Sequence, residues 1–430
     1  MDALSPANKK AFVSEAYASA CERFGAFGVH PEEALARLSR LSLSLPCWQG
    51  DDVVGFEPQN ARAPSGGIAV TGSYPGRARN PKELRSDLGL ALRLIPGSHR
   101  VNLHASYADF QGKPVDRDAL EPRHFESWID WALSQTPKKI GLDFNPTFFA
   151  HPKSSDGFTL SHCDPAIRQF WIEHGRRCRR IGQALGFALG TPCLTNLWIP
   201  DGSKDTPADR NAPRERLLEA LDAIFEEPLP CNIDAVEPKL FGIGSESYVV
   251  GSYDFLLAYA VRKGTLLCLD SGHFHPTENV ADKLSSLLQF LPALLLHLSR
   301  GVRWDSDHVV IENDELLGLT REIIANGFEE RVHLGLDFFD ASINRIAAWV
   351  IGARACQRAL LRALLEPTDT LRQAENQRDF THRLALQEEC RSLPFGAVWD
   401  EFCRREGVPL GLDWLQEVRS YEARVLSKRS

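Results

Sequence analysis

Short apolar runs recur along the chain, and most are followed by a stretch whose apolar positions repeat at helical spacing. The runs fall at 42–47 (SLSLPC), 100–105 (RVNLHA), 139–144 (KIGLDF), 193–199 (CLTNLWI), 233–237 (IDAVE), 265–270 (TLLCLD), 295–299 (LLHLS) and 331–337 (RVHLGLD). Helical patterns between them include 82–95, 165–185, 213–226, 279–292 and 314–326. Strands that alternate with helices form a parallel sheet with helices on its faces. Eight such units predict a closed (β/α)8 TIM barrel, in the α/β class, rather than an open sheet. The ends stand outside the repeat. Residues 5–40 read as two lead-in helices, so a catalytic barrel is expected over 1–340. Residues 341–430 read as a mostly helical C-terminal extension with breaks near Pro367, Pro394 and Pro409. Such a tail either packs on its own barrel or wraps a neighbouring subunit.

Polar residues in a strand buried on both faces are costly unless they find partners. Here they gather where the runs end. The second run ends at His104, the third at Asp143 and Asn145, and the fourth at Trp198 and Asp201. The fifth ends at Glu237 with Lys239 close behind, and the sixth at Asp270, followed by His273 and His275. The seventh carries His297, followed by Asp305 and Asp307, and the eighth ends at Asp337, followed by Asp340. Barrel sites form at that C-terminal face, so these side chains are expected to converge on one mouth. Taken singly, a strand-end Asp is often a helix cap, and a His in an apolar strand is more often a hydrogen-bonded core residue than a ligand. Taken together, the acids and imidazoles would repel and desolvate one another without a cation. Carboxylates outnumber imidazoles and no cysteine takes part, which suits Mn²⁺, Mg²⁺ or Co²⁺ better than a structural zinc. In Trp304-Asp305-Ser306-Asp307-His308 two carboxylates stand at i and i+2, and an extended backbone would aim both at one ion. Lys239 either pairs with the acids or polarises a substrate oxygen.

Composition narrows the class. The chain has 430 residues, 43% of them hydrophobic and 25% charged, as in a soluble globular enzyme with a large core. A net charge of -8 without Lys/Arg clusters argues against a nucleic-acid partner, and so against a barrel endonuclease. Ten cysteines are scattered without a C-x-x-C pair, which reads as free thiols in a reducing cytosol. The first residues are polar, with no apolar signal-peptide core. The longest apolar stretch, 287–298, is too short for a membrane span and contains Gln289, Pro292 and His297. A cytoplasmic protein without a membrane partner is expected.

Several long segments carry a more specific signal: CWQGDDVVGFE at 47–57, GLDFNP at 141–146, DGFTLSH at 156–162, NLWIPDG at 196–202, ESYVVGS at 246–252, LDSGHFHPTE at 269–278, RWDSDHVV at 303–310 and HLGLDFFDASINRIAAWVIG at 333–352. With them the chain resembles the L-rhamnose isomerase family, from about residue 15 to its C-terminus. The resemblance implies an aldose–ketose isomerase that interconverts L-rhamnose and L-rhamnulose by a metal-mediated hydride shift. It implies two adjacent metal sites. Glu237, Asp270, His297 and Asp337 would hold the first ion; His273, Asp305 and Asp307, with Glu237 shared, would hold the second. Mn²⁺ is the expected activator, with Co²⁺, Zn²⁺ or Mg²⁺ as alternatives, and the expected assembly is a homotetramer. Lys239, Asp337 and His104 are the candidate catalytic residues. Trp198, Phe339 and His104 are the candidate sugar contacts. The Gly-rich segment from Ser65-Gly66-Gly67 to Gly76 is the expected lid. A ketose epimerase on the same barrel, or a non-enzymatic sugar-binding protein, are the competing readings.

Overall fold

The computed structural model describes residues 6–57, 68–135, 138–240, 247–302 and 305–429. All eight runs become strands: β1 (Leu43–Pro46), β2 (His99–His104), β3 (Gly141–Asn145), β4 (Cys193–Trp198), β5 (Asn232–Glu237), β6 (Leu266–Asp270), β7 (Leu294–Leu298) and β8 (Val332–Leu336). They pair in parallel, each with its neighbour in sequence, and β8 closes on β1. Period-2 alternation then sorts every strand into an inner and an outer face. Outward residues such as Val236, Leu267, Leu269, Leu296 and Leu298 join the large core shared with the surrounding helices. Inward residues Leu194, Ala235, Leu266, Cys268 and Leu295 form a separate apolar plug. Glu237, Asp270 and His297 each stand two residues beyond a member of that plug. They therefore rise from its upper surface, at the C-terminal end.

The helix layer follows the predicted patterns, with α1 (Pro6–Gly25) and α2 (Pro31–Leu38) leading in. Next come α3 (Pro81–Leu94), α4 (Glu126–Ser134), α5 (Pro165–Leu189), α6 (Asn211–Ile224), α7 (Tyr253–Lys263), α8 (Ala281–Leu287) and α9 (Asp314–Ala325). Caps explain several starts. Asn80 Oδ1 accepts from Glu83 N with Pro81 opening α3, and Asn313 Oδ1 accepts from Leu316 N at α9. One predicted helix is cut short. The pattern over 279–292 yields α8 over only Ala281–Leu287. Pro292 has no N–H and disfavours helix at Leu291, so the chain leaves through a tight turn in which Phe290 N donates to Leu287 O at 2.9 Å.

After β8 come α10 (Arg345–Leu364), α11 (Thr368–Asn376), α12 (Phe380–Cys390), α13 (Phe395–Arg405) and α14 (Asp413–Arg424). The breaks fall at the three predicted prolines and also at Asp379, which caps α12. The first of these helices packs on its own barrel: α10 lies against α9 and α3, and Trp349 Nε1 donates to Pro46 O at 2.8 Å. An antiparallel pair, Gly202–Ser203 with Tyr248–Val249, joins the segments that follow β4 and β5. All ten cysteines are free thiols. Among the described residues no helix is long and apolar enough to cross a membrane.

Candidate metal centre

Register places the polar side chains at one level. Trp198 pairs with Glu237, Asp270 with His297, and His297 with Gly335, two residues before Asp337. Ligand atoms of Glu237, Asp270, His297 and Asp337 all lie within 4.8 Å of one another. His297 Nδ1 is 3.1 Å from Asp337 Oδ2 and 3.4 Å from Glu237 Oε2. Yet neither ring nitrogen of His297 has a hydrogen-bond partner, and Asp270 Oδ2 has none either. The outer oxygens are held. Asp270 Oδ1 accepts from Gly272 N at 2.6 Å and Ser299 Oγ at 2.9 Å. Asn196 Nδ2 donates to Glu237 Oε2 at 2.5 Å, and Trp48 Nε1 to Asp337 Oδ1 at 3.1 Å. Oxygen and nitrogen donors gathered in this way, with the His297 nitrogens and Asp270 Oδ2 buried and unpartnered, fit a divalent cation.

A second group adjoins the first. His273 Nδ1 lies 3.0 Å from Pro238 O and 3.3 Å from Glu237 Oε1. A carbonyl only accepts, so Nδ1 carries a proton, and Nε2 lies 3.5 Å from Asp305 Oδ2. Asp305 also pairs with Lys239 Nζ at 2.9 Å, while its Oδ1 is buried without a partner. Gly272 is required here, because an added Cβ would stand 2.7 Å from Ser299 Oγ and 3.0 Å from Asp305 Oδ1. The D-x-D backbone is not extended throughout. Asp307 adopts φ 43°, a left-handed conformation, where its carbonyl accepts from Phe339 N at 3.1 Å. Local backbone conformation, rather than strand alternation, therefore directs the two carboxylates. Trp304, and Ser65, Gly66 and Gly67 of the expected lid, lie outside the described residues.

The electrostatics reflect crowding. Burial pushes the Asp270 carboxyl up to about 7, with the charges of Asp337, Glu237 and Asp305 adding to it against the pull of His273. Burial and the neighbouring Asp305, Asp337 and Asp270 raise Asp307 far above the carboxylate range. Burial acts on Glu237 in the same sense, but His297, His273 and Asn196 overcome it and hold the acid near 2. Burial alone would lower His273; the acids around it reverse the sign and raise it. Without a cation, the chain can relieve its own negative charge only by holding protons.

The remaining predicted residues divide. His104, Asn145, Trp198, Lys239, Asp307 and Phe339 line one cavity at the mouth together with Glu237, His297 and Asp337 of the first cluster and His273 of the second. Lys239 Nζ sits 4.8 Å from the centre of the Trp198 ring. His104 packs edge-on to Trp48 and Phe149, and burial pushes its imidazole down to about 3, so it is neutral. Four others do not converge there. Asp143 lies one layer deeper, because it stands two residues before Asn145, and its carboxylate pairs with Arg100 at 2.8 Å. Asp201 accepts from Thr159 Oγ1 at 2.5 Å and from Ser161 N at 2.9 Å, fixing a loop. His275 is exposed and bonded to Thr277, and Asp340 accepts from Ser342 N in a turn. Trp48 and Asn196 escaped sequence reading. Asn196 shares the inner face of β4 with Trp198, so alternation alone points to it. Trp48 lies beyond β1 in a short 3₁₀ turn, where no periodicity applies.

Residues 11–429 match the family described as L-rhamnose isomerase (RhaA). The chain is 56% identical over 425 residues to L-rhamnose isomerase of Rhodopirellula baltica, covering 98% of each chain. It is 58% identical over 419 residues to the Mannheimia succiniciproducens enzyme of the same name, covering 97% of this chain and 99% of that one. Among solved structures, an L-ribulose 3-epimerase aligns with TM-score 0.47 and 14% identity over 78% of this chain and 97% of that one. The match over nearly the whole length places this chain in the L-rhamnose isomerase family.

Proposed function

We propose that this protein interconverts L-rhamnose and L-rhamnulose as a cytoplasmic homotetramer activated by Mn²⁺, with Co²⁺, Zn²⁺ or Mg²⁺ as substitutes. The observation that carries the reading is the cluster of Glu237, Asp270, His297 and Asp337, the first three of them buried, in a chain aligned over 98% of its length with a relative of that name. Glu237, Asp270, His297 and Asp337 would hold one ion, and His273, Asp305, Asp307 and Glu237 a second. When bound, the ions supply Lewis acidity toward the sugar's hydroxyl and carbonyl oxygens. The reaction moves the hydrogen on C2 to C1 as a hydride, while the O2 proton passes to O1. Lys239, already oriented by Asp305 and by the Trp198 face, places its ammonium where negative charge grows on oxygen. Lys239 and Asp337 are the candidates to assist the passage of the proton between O2 and O1. The neutral ring of His104 would accept the hydrogen bond of the ring-opening step. Trp198 and Phe339 offer apolar walls, the latter to the methyl group.

Assembly is supported by exposed apolar residues outside the mouth. Phe380 and Leu384 stand one turn apart on α12, 53% and 58% exposed, and Leu412 is 72% exposed. We assign residues 1–340 to the barrel with its lead-in and 341–430 to an extension at subunit interfaces. Free thiols throughout agree with a reducing compartment.

One assay tests the reading. Chelator-treated protein should lose L-rhamnulose formation and regain it with Mn²⁺. Substrate deuterated at C2 should keep its label in the product. Activity indifferent to chelation sinks the metal dependence, and label lost to solvent replaces the hydride shift with an enediol route.

A further inference from the structure

Directly beneath the four-residue cluster lies a thiol that the proposed reaction does not use. Cys268 precedes Asp270 by two residues on β6, so both side chains project into the barrel, one layer apart. It is fully buried in the apolar plug, beside Ala235 and Leu295. Its Sγ, a carboxylate oxygen of Glu237 and a ring nitrogen of His297 lie within 4.8 Å of one another. His297 is itself only 2% exposed, with both ring nitrogens lacking hydrogen-bond partners. Three ligand types meet at this spot: a hard carboxylate, an imidazole and a soft sulfur.

We propose that Glu237, Cys268 and His297 bind soft divalent cations such as Cd²⁺ in a mode distinct from that taken by Mn²⁺ and the ions that replace it. The biological consequence rests on the metal-dependent reading above; the site itself does not. A hard ion gains little from sulfur and keeps the oxygens of Asp270 and Asp337. A soft ion exchanges those oxygens for the thiolate. The S–H bond of Cys268 breaks, a metal–sulfur bond forms, and the proton leaves to solvent with no change of oxidation state. Because Glu237 and His297 serve both modes, the two exclude each other, and soft ions compete with Mn²⁺ from below the mouth.

The test uses the full-length protein, stripped by chelator and titrated with Cd²⁺ alone. Wild type should develop a thiolate-to-metal charge-transfer band in the ultraviolet. Cys268→Ser should lose it, and Cys163→Ser, altered at an exposed thiol, should keep it. Cd²⁺ affinity should fall about tenfold or more in Cys268→Ser, while Mn²⁺ affinity, read by electron paramagnetic resonance, changes less than about threefold. If the serine variant misfolds by circular dichroism, Cys268→Ala takes its place with the same expectations. No band in wild type, or a band that survives removal of the thiol, overturns the proposal. Failure of Mn²⁺ to restore isomerase activity would instead overturn the proposed function and leave the charge-transfer result standing.

Discussion

The two sides of the barrel interior meet the same problem, buried charge, in opposite ways. On the side of β2 and β3 the chain supplies every partner. Arg100 clamps Asp143 through Nε and Nη2, and Ser44 Oγ and Leu194 N complete the carboxylate's bonds. Burial disfavours the charge on Asp143, yet Arg100 and these donors hold its carboxyl below the usual range. One layer up, Asn145 Nδ2 donates to Asn102 Oδ1 at 2.7 Å. On the side of β5 to β8 the balance is missing. Five acids, Glu237, Asp270, Asp305, Asp307 and Asp337, meet Lys239, His273 and His297. Asp270 and Asp307 are pushed toward protonation, and ligand atoms are left without partners. One half is finished as a structure; the other leaves buried donor atoms without partners.

That contrast can be broken most forcefully on the unbalanced side. Asp305→Asn or His273→Asn should lower L-rhamnose turnover by about three orders of magnitude or more, because each removes a proposed ligand of the second ion. The melting temperature should move by no more than about 3 °C, since both sit at the rim. Near-wild-type turnover in either variant would remove that residue from the site. On the balanced side the outcome should invert. Asp143→Ala leaves Arg100 buried without its counter-ion, which costs about 3–5 kcal/mol, read as a lower denaturation midpoint. Bound metal per chain should stay unchanged in the protein that remains folded. A stability near wild type would mean that Asp143 is not the anchor described.

The smallest effect sharpens the comparison through pH. His174 is buried behind β3, where Thr147 N donates to its Nε2 and its Nδ1 faces Arg117 O at 3.1 Å, which fixes a neutral ring. Burial, then the charge of Arg117, pushes it down to about 3 from 6.5. The unfolded chain therefore takes up a proton first. Stability from this group is complete above pH 6.5 and drains away as pH falls toward 3. At pH 5 the loss is about 2 kcal/mol. His174→Gln should flatten the dependence of melting temperature on pH between 7 and 5. An unchanged slope would place the titration elsewhere.

Much of this was readable from one sequence because it follows from a period of two. Runs such as TLLCLD and LLHLS announce strands, and counting in twos from Cys268 or Leu295 arrives at Asp270 and His297 on the inner face. The same arithmetic says which side of a strand a residue faces but not how deep it sits. Asp143 and Asn145 looked equivalent in sequence, yet one is a structural ion-pair partner and the other lines the mouth. The loop residues were harder. Asp305 and Asp307 owe their aim to a left-handed residue and to contacts from Lys239 and Phe339, which no local pattern encodes. Arg117 was invisible for the same reason. It lies in a short 3₁₀ turn far from any strand end, but its guanidinium holds Thr147 O at 2.6 Å and Phe149 O at 2.5 Å, and so shapes the cavity wall. The sugar itself was legible only through the long matched segments.

The consecutive strand order has a mechanical meaning as well. Glu237, Asp270 and His297 belong to β5, β6 and β7, and Asp337 directly follows β8; these four neighbouring strands pair in parallel. An ion gripped by all four is a clasp across that seam, and the strands cannot part until it lets go of several ligands together. In a chain whose ten thiols are all unpaired, such a clasp does what a covalent cross-link does in secreted proteins. The residence time of the metal would then set the pace at which this half of the barrel can open.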